Sequence, residues 1–260
     1  MKKLKIGLLS VIAMMVLTCD RDLENELRPI EGTVQVLVAE THMEVGPPMI
    51  VVHFETQARH PCSNFEIQNE FSIESGMIIS DFEGILEPSL CQGSQGPATS
   101  TKFTDLQDGK YLLEINYEEN TDLYNITIAV DSIAIIAEEQ SFTNNPFEVS
   151  WRFPKNSLAY LCGTVNGSQE PCDNFQAILN EMNMEEFTFS DEGYTPYPDS
   201  TIGFGYNAPA AFYKYTSDTD FQEASSKLLE YDEDVNAREL GVVMFLISWE
   251  FNEVSIGTQQ

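Results

Sequence analysis

Hydrophobic and polar residues alternate along the first half of the chain and recur at helical spacing in the second. In GTVQVLV, Val34, Val36 and Val38 take every other position, the period of a strand with one buried face. The same short alternation, rich in β-branched and aromatic residues, returns in MIVVHFET, FEIQNEFSI, GMIISDF, KYLLEINY, LYNITIAV, SIAIIA and FEVSWRF. GPP, ESG, QDG and TNNP separate these segments, and Asp108-Gly109 marks a bend before a strand. Many short strands joined by turns predict an antiparallel Ig-like β-sandwich over residues 32–153, with Trp151 as a core anchor.

Residues 157–256 read differently. LAYLCGTV predicts a strand. In DNFQAILNEMN, Phe175, Ile178, Leu179 and Met182 fall on one helical face, and Asp173 with Gln176 has capping-box spacing. FTF and AAFYKYT read as short strands. SDTDFQEASSKLLEY gives a second helix, with Phe221, Ala224, Leu228 and Tyr231 on one face. GVVMFLISWEF is nearly all apolar; it is too short to cross a bilayer and reads as a strand covered on both faces. The order β-α-β-β-α-β predicts a ferredoxin-like α+β domain over 157–256, with the boundary near 153–156. PCSNFEIQNE (61–70) and PCDNFQAILNE (171–181) share Pro-Cys-x-Asn-Phe. Alternation follows the first and helical spacing the second, so the likeness reads as coincidence rather than a repeat.

Charge narrows the partners. The 260 residues carry 42 acids against 13 lysines and arginines, a formal charge of −29. The acids are spread through the chain and describe a solvated surface. Such a chain repels nucleic acid and anionic headgroups, which removes nucleic acid as a partner.

The first segment, MKKLKIGLLSVIAMMVLTC, supplies an address. Lys2, Lys3 and Lys5 precede an apolar run, Ile6 to Leu17, that falls short of the roughly 20 residues of a membrane span. It predicts a signal peptide over 1–18. Val16-Leu17-Thr18-Cys19 resembles the lipobox of bacterial lipoproteins, although Thr18 stands where Gly, Ala or Ser is preferred. The resemblance implies lipid attachment at Cys19, with the membrane as a partner; each buried methylene of the acyl chains adds about 0.8 kcal/mol. Residues 19–31 form an acidic tether, with Asp20, Asp22, Glu24 and Glu26 too polar to pack. Its acids resemble the surface-export signal of Bacteroidetes lipoproteins and imply display on the outer membrane rather than its periplasmic face.

Four further cysteines, an even number in an exported chain, allow three pairings. The sequence-near pairs Cys62–Cys91 and Cys162–Cys172 are expected, because each falls within one proposed domain. No C-x-x-C occurs, and His42, His53 and His60 lack metal-ligand spacing. The segment HPCSNFEI…GILEPSLCQGSQGPAT…DGKYLLEI…LYNITI resembles a group of Bacteroidetes lipoproteins of uncharacterised activity. They share a cysteine after proline, a second cysteine followed by Gly-Pro-Ala, and a Gly-x-Tyr-x-Leu strand. The likeness covers the first half well and the second loosely. It implies the same compartment, agrees with Cys62–Cys91, and brings no activity.

Candidate chemistry is sparse. G-x-S-x-G, H-E-x-x-H and the P-loop pattern are absent. Carboxylate pairs such as Glu185 or Glu186 with Asp191 arise by chance among so many acids. DEDVNARELGVV opens with the spacing of a calcium loop at Asp232, Asp234 and Asn236, but Ala237 and Val243 stand where glycine and glutamate belong. Calcium is therefore a marginal candidate, and no other cofactor is expected. GYTPYPDSTIGFGYNAPAAFYKY (193–215) sets Tyr194, Tyr197, Phe204 and Tyr206 among prolines and glycines. Exposed, these rings suit a ligand surface; buried, they cover the end of a sheet. Ser200 in DST and Ser132 in DSI match a short Bacteroidetes O-glycosylation pattern. Together these features predict a non-catalytic, surface-anchored binding or adhesion module for a glycan or envelope protein. The alternative is an exported hydrolase acting on glycans or peptides.

Overall fold

A computed structural model describes residues 27–164, 168–190, 192–198 and 210–257. Ten strands fill the first part: β1 Val34–Thr41, β2 Met49–His60, β3 Glu66–Glu74, β4 Met77–Leu86, β5 Gly96–Thr104, β6 Gly109–Tyr117, β7 Asn120–Ile128, β8 Ser132–Glu139, β9 Thr143–Asn144 and β10 Val149–Trp151. The period-2 segments do form strands, and their inward residues are buried: Val34, Val36 and Val38 of β1, Leu113 and Ile115 of β6, Ile133 and Ile135 of β8. Ser75 and Gly76 both take positive φ, the geometry of a tight hairpin turn between β3 and β4.

The Ig-like sandwich is corrected by the pairing. All ten strands belong to one mixed sheet, in the order β10-β8-β7-β6-β4-β3-β5-β2-β1-β9. A sandwich needs a break between two sheets. Here β4 and β6 pair in parallel, from Met77↔Leu112 to Phe82↔Tyr117, and bridge the place where that break would fall. The sheet curls strongly into a half-barrel, so that Val36, Phe54, Ile78, Leu113, Ile126 and Ile135 meet in one core. Its two ends come together, with β8 and β10 against β1.

A buried carboxylate pins one edge. Asp122 of β7 accepts hydrogen bonds from the backbone N–H groups of Ser141, Phe142 and Thr143 and from both hydroxyls, at 2.5–3.1 Å. These bonds fix the segment that lays β9 parallel to β1. Burial pushes the Asp122 carboxyl up, but the hydroxyls of Ser141 and Thr143 and the N–H groups outweigh it, so it titrates below the ordinary carboxylate range.

The second part contains β11 Ser157–Thr164, α1 Glu170–Glu181, β12 Glu185–Phe187, β13 Ala211–Lys214, α2 Asp218–Val235, α3 Ala237–Leu240, β14 Val242–Ser248 and β15 Glu253–Ile256. Pro171 opens α1, where its missing N–H costs nothing. Asp220 caps the start of α2 by accepting from Thr216 N and Ser217 N, both at 2.9 Å. Phe175 and Leu179 of α1 and Ala224 and Leu228 of α2 pack on one sheet face, against Leu158, Tyr160, Tyr213, Met244 and Leu246. The ferredoxin-like expectation is corrected as well. The sheet has five antiparallel strands, β12-β13-β11-β14-β15, because the chain turns back after Ser248 and pairs β15 along β14. The fold is thus a curled ten-stranded sheet with a five-stranded sheet, not a sandwich followed by a ferredoxin-like domain.

Both expected disulfides are present. Cys62–Cys91 ties the β2–β3 connection to the β4–β5 connection, and Cys162–Cys172 ties β11 to α1, with Cα separations of 5.5 and 5.8 Å.

Candidate functional site: an aromatic and cationic groove

The two sheets meet along a seam of main-chain bonds. Trp151 N donates to Tyr194 O at 2.8 Å, and Tyr194 N donates to Val149 O at 2.9 Å, so residue 194 lies parallel to β10. Trp151 Nε1 adds a bond to Glu192 O at 3.1 Å. Gly193 permits this approach: its φ is +113°, and a Cβ there would come within 2.7 Å of Val149 O. On the far side, His42 Nε2 bonds Trp249 O and Gly46 N donates to Glu250 O, each at 2.8 Å.

Aromatic rings fill the seam. His42 stacks on Phe251 and meets Phe153 edge-on at 4.6 Å. Phe153 meets Tyr197, Tyr197 stacks on Phe212, and Phe212 touches Phe189 and Phe187. Burial pushes the His42 pKa down, against the opposing pull of the Trp249 carbonyl and Glu40.

Beside the seam lies a groove of about 690 Å³. One wall is the chain from Trp151 to Lys155, and another runs from Phe187 to Ser190. Pro47, Pro48, Val130, Lys214 and Trp249 complete the apolar and cationic lining. At its base Glu40 is buried, its side chain only 3% exposed. Its two oxygens accept from Arg152 Nε at 2.7 Å and Phe153 N at 2.8 Å. Arg152 also reaches Asp108 and the Ala129 carbonyl, both at 2.6 Å. Its charge is therefore engaged in structure. Lys155 and Lys214 are different: both are exposed, and neither makes an ion pair among the described residues. Lys214 sits opposite Glu185 in the ladder, yet its ammonium lies 5.2 Å over the Phe187 ring.

The residues singled out from sequence fall in several places. Tyr197, expected on a ligand surface, is 2% exposed, and its hydroxyl pairs with Ser157 Oγ at 2.9 Å. It is a seam residue, because Phe153, Phe189 and Phe212 enclose its ring. Tyr194 is half-buried and docks on β10. Phe204, Tyr206 and Ser200 lie outside the described residues, as does Cys19. Ser132 begins β8 and donates to Asp131 Oδ1 at 3.0 Å. Trp151, expected in the core, is half-buried on the groove wall.

The calcium-loop spacing of Asp232, Asp234 and Asn236 falls at the end of α2. Asp232 and Asp234 are helical residues of α2, and Asn236 is its left-handed C-cap. Asp232 accepts from Ala237 N at 2.9 Å, which makes it a helix-end residue rather than a loop ligand. Among the described residues no group of three or more His, Cys, Asp or Glu is placed to hold a metal ion.

The groove residues were not found from sequence, with one partial signal. Glu40 shares the inward parity of Val34, Val36 and Val38, and an acid at such a position needs a buried partner. No family model, curated protein or solved structure matches the chain.

Proposed function

We propose that the chain is a lipid-anchored, surface-displayed binding module that takes its ligand in the groove between the two sheets. The observation that carries this reading is the groove's lining, in which aromatic and proline side chains stand beside two lysines that make no ion pair among the described residues. Concave apolar clefts with a few polar groups are the usual form of a ligand site, at volumes of about 300–1,000 Å³. Among the described residues lining the groove, the acids Glu40 and Asp131 already accept from Arg152, Phe153 N and Ser132. That favours capture over acid–base chemistry. The lipobox-like Cys19 supports anchoring, and the acidic residues after it support display.

Two measurements test the reading. Cys19→Ser is expected to release the protein from membranes. For the groove, full-length chain is titrated with a panel of envelope polysaccharides and peptides, beside Val130→Trp. Val130 is 84% exposed at the groove lip, so a large ring there blocks the mouth without touching the core. Saturable binding that Val130→Trp abolishes at unchanged melting temperature supports the module. Binding that Val130→Trp leaves intact, or none from either panel, removes it.

A further inference from the structure

We infer that the groove's ligand is an extended peptide bearing a carboxylate, held along the main chain rather than on one face of a sheet. The inference rests on the binding-module reading and names its ligand class. In an extended chain successive side chains point to opposite sides. A groove that meets every residue from Phe187 to Ser190, and every residue from Trp151 to Lys155, therefore runs along two backbone edges.

Among the described residues, the edge on one side is unpaired. β12 is the outer strand of its sheet, and Thr188, Phe189 and Ser190 continue past it outside any ladder. Exposed main-chain donors and acceptors of this kind pair with an added strand, while alternate side chains settle in neighbouring pockets.

The lining favours peptide over sugar. Among the described lining residues, Pro47, Val130, Phe153, Pro154, Phe187 and Phe189 offer nothing to a ring of hydroxyls. Phenylalanine, tryptophan and proline walls take apolar side chains instead.

Charge selects the acidic group. The chain as a whole carries −29 and repels an acidic peptide. Lys155 and Lys214 make the groove a local exception, free of ion pairs among the described residues. Complementary charge of this sort governs encounter and register.

The test begins by panning a random-peptide phage library on the full-length chain and synthesising the selected sequences. The expected binders combine apolar residues with Asp or Glu. Charge reversal by Lys155→Glu with Lys214→Glu weakens them by about tenfold or more, measured at a temperature where the variant is fully folded. Replacing the peptide's acids with lysine restores binding to the reversed variant. Amide exchange at Thr188, Phe189 and Ser190 slows when peptide is bound. An absence of selected peptides, binding indifferent to charge reversal, or protection confined to another surface overturns the inference. Saccharide binding blocked by Val130→Trp, with no peptide selected, overturns this ligand class while the binding module stands.

Discussion

Arg152 Nε lies 2.7 Å from Glu40 Oε1, joining residues 112 positions apart in the chain. The pair closes the curl of the large sheet, because Glu40 is the penultimate residue of β1 and Arg152 follows β10. Glu40 is buried, and an unpaired charge there is costly. Arg152→Ala is expected to destabilise the fold by about 3 kcal/mol, read as a shifted urea midpoint. The double replacement Glu40→Gln with Arg152→Met should cost less than the single one, since it leaves no orphaned carboxylate. A single variant no less stable than the double would refute the latch.

Asp122 makes a second closure, and its pH dependence has a definite sign. Its carboxyl titrates lower in the folded chain than in the unfolded one. The stability it contributes is thus present above the unfolded pKa of about 3.9 and is lost as pH falls through the folded value. Asp122→Ala removes the acceptor of five hydrogen bonds, and a loss of roughly 1.5–3 kcal/mol or more is expected at neutral pH. Melts from about pH 6 downward check it, since the contribution is full above the unfolded pKa and shrinks as the acid limb is entered. An alanine variant with an unchanged acid limb would show that the hydrogen bonds contribute little.

His42 titrates in a milder range. Its folded pKa is lowered from about 6.5, so the unfolded chain takes up a proton first as pH falls. Neutral His42 therefore contributes stability above about pH 6.5 that declines on acidification below it. His42→Phe keeps a ring between Phe153 and Phe251 but removes the proton site. Its melting temperature should fall less between pH 7 and pH 5 than that of the wild type, both values bracketing the ordinary histidine range of about 6.5. Equal slopes in the two proteins would assign the acid sensitivity to other groups.

What the sequence made legible was local. Val34, Val36 and Val38 announced a strand with one buried face, and Phe175 with Leu179 a helix face; both are buried as the spacing required. An even cysteine count and the closeness in sequence of the paired residues led to the two disulfides. Pairing was not legible, because alternation says which way a side chain points and not which strand lies beside it. The parallel contact of β4 with β6 skips the intervening β5 and has no local signature. The Asp232 run was ambiguous because acids at a helix end and acids in a calcium loop use the same letters; only backbone conformation places it on α2. Glu40 and Asp122 were the missed clues: each shares the parity of buried neighbours, Val36 and Val38 for one, Tyr124 and Ile126 for the other.

Tyr197 decides between a ligand loop and a structural seam. Its ring is enclosed by Phe153, Phe189 and Phe212, and its hydroxyl meets Ser157 Oγ. Tyr197→Ala should therefore cost about 3–5 kcal/mol, the range for removing a buried aromatic ring. Tyr197→Phe keeps the ring and drops one hydrogen bond, so about 1 kcal/mol is expected. Tyr194 makes a main-chain contact with β10 that survives side-chain truncation, and Tyr194→Ala should fall between the two. Ligand binding, measured where the variants remain folded, should be unchanged by Tyr197→Phe, because the hydroxyl is not in the groove lining. Thermal and urea melts of the three variants give the order. A Tyr197→Ala protein as stable as the wild type would return this ring to the surface and undo the seam.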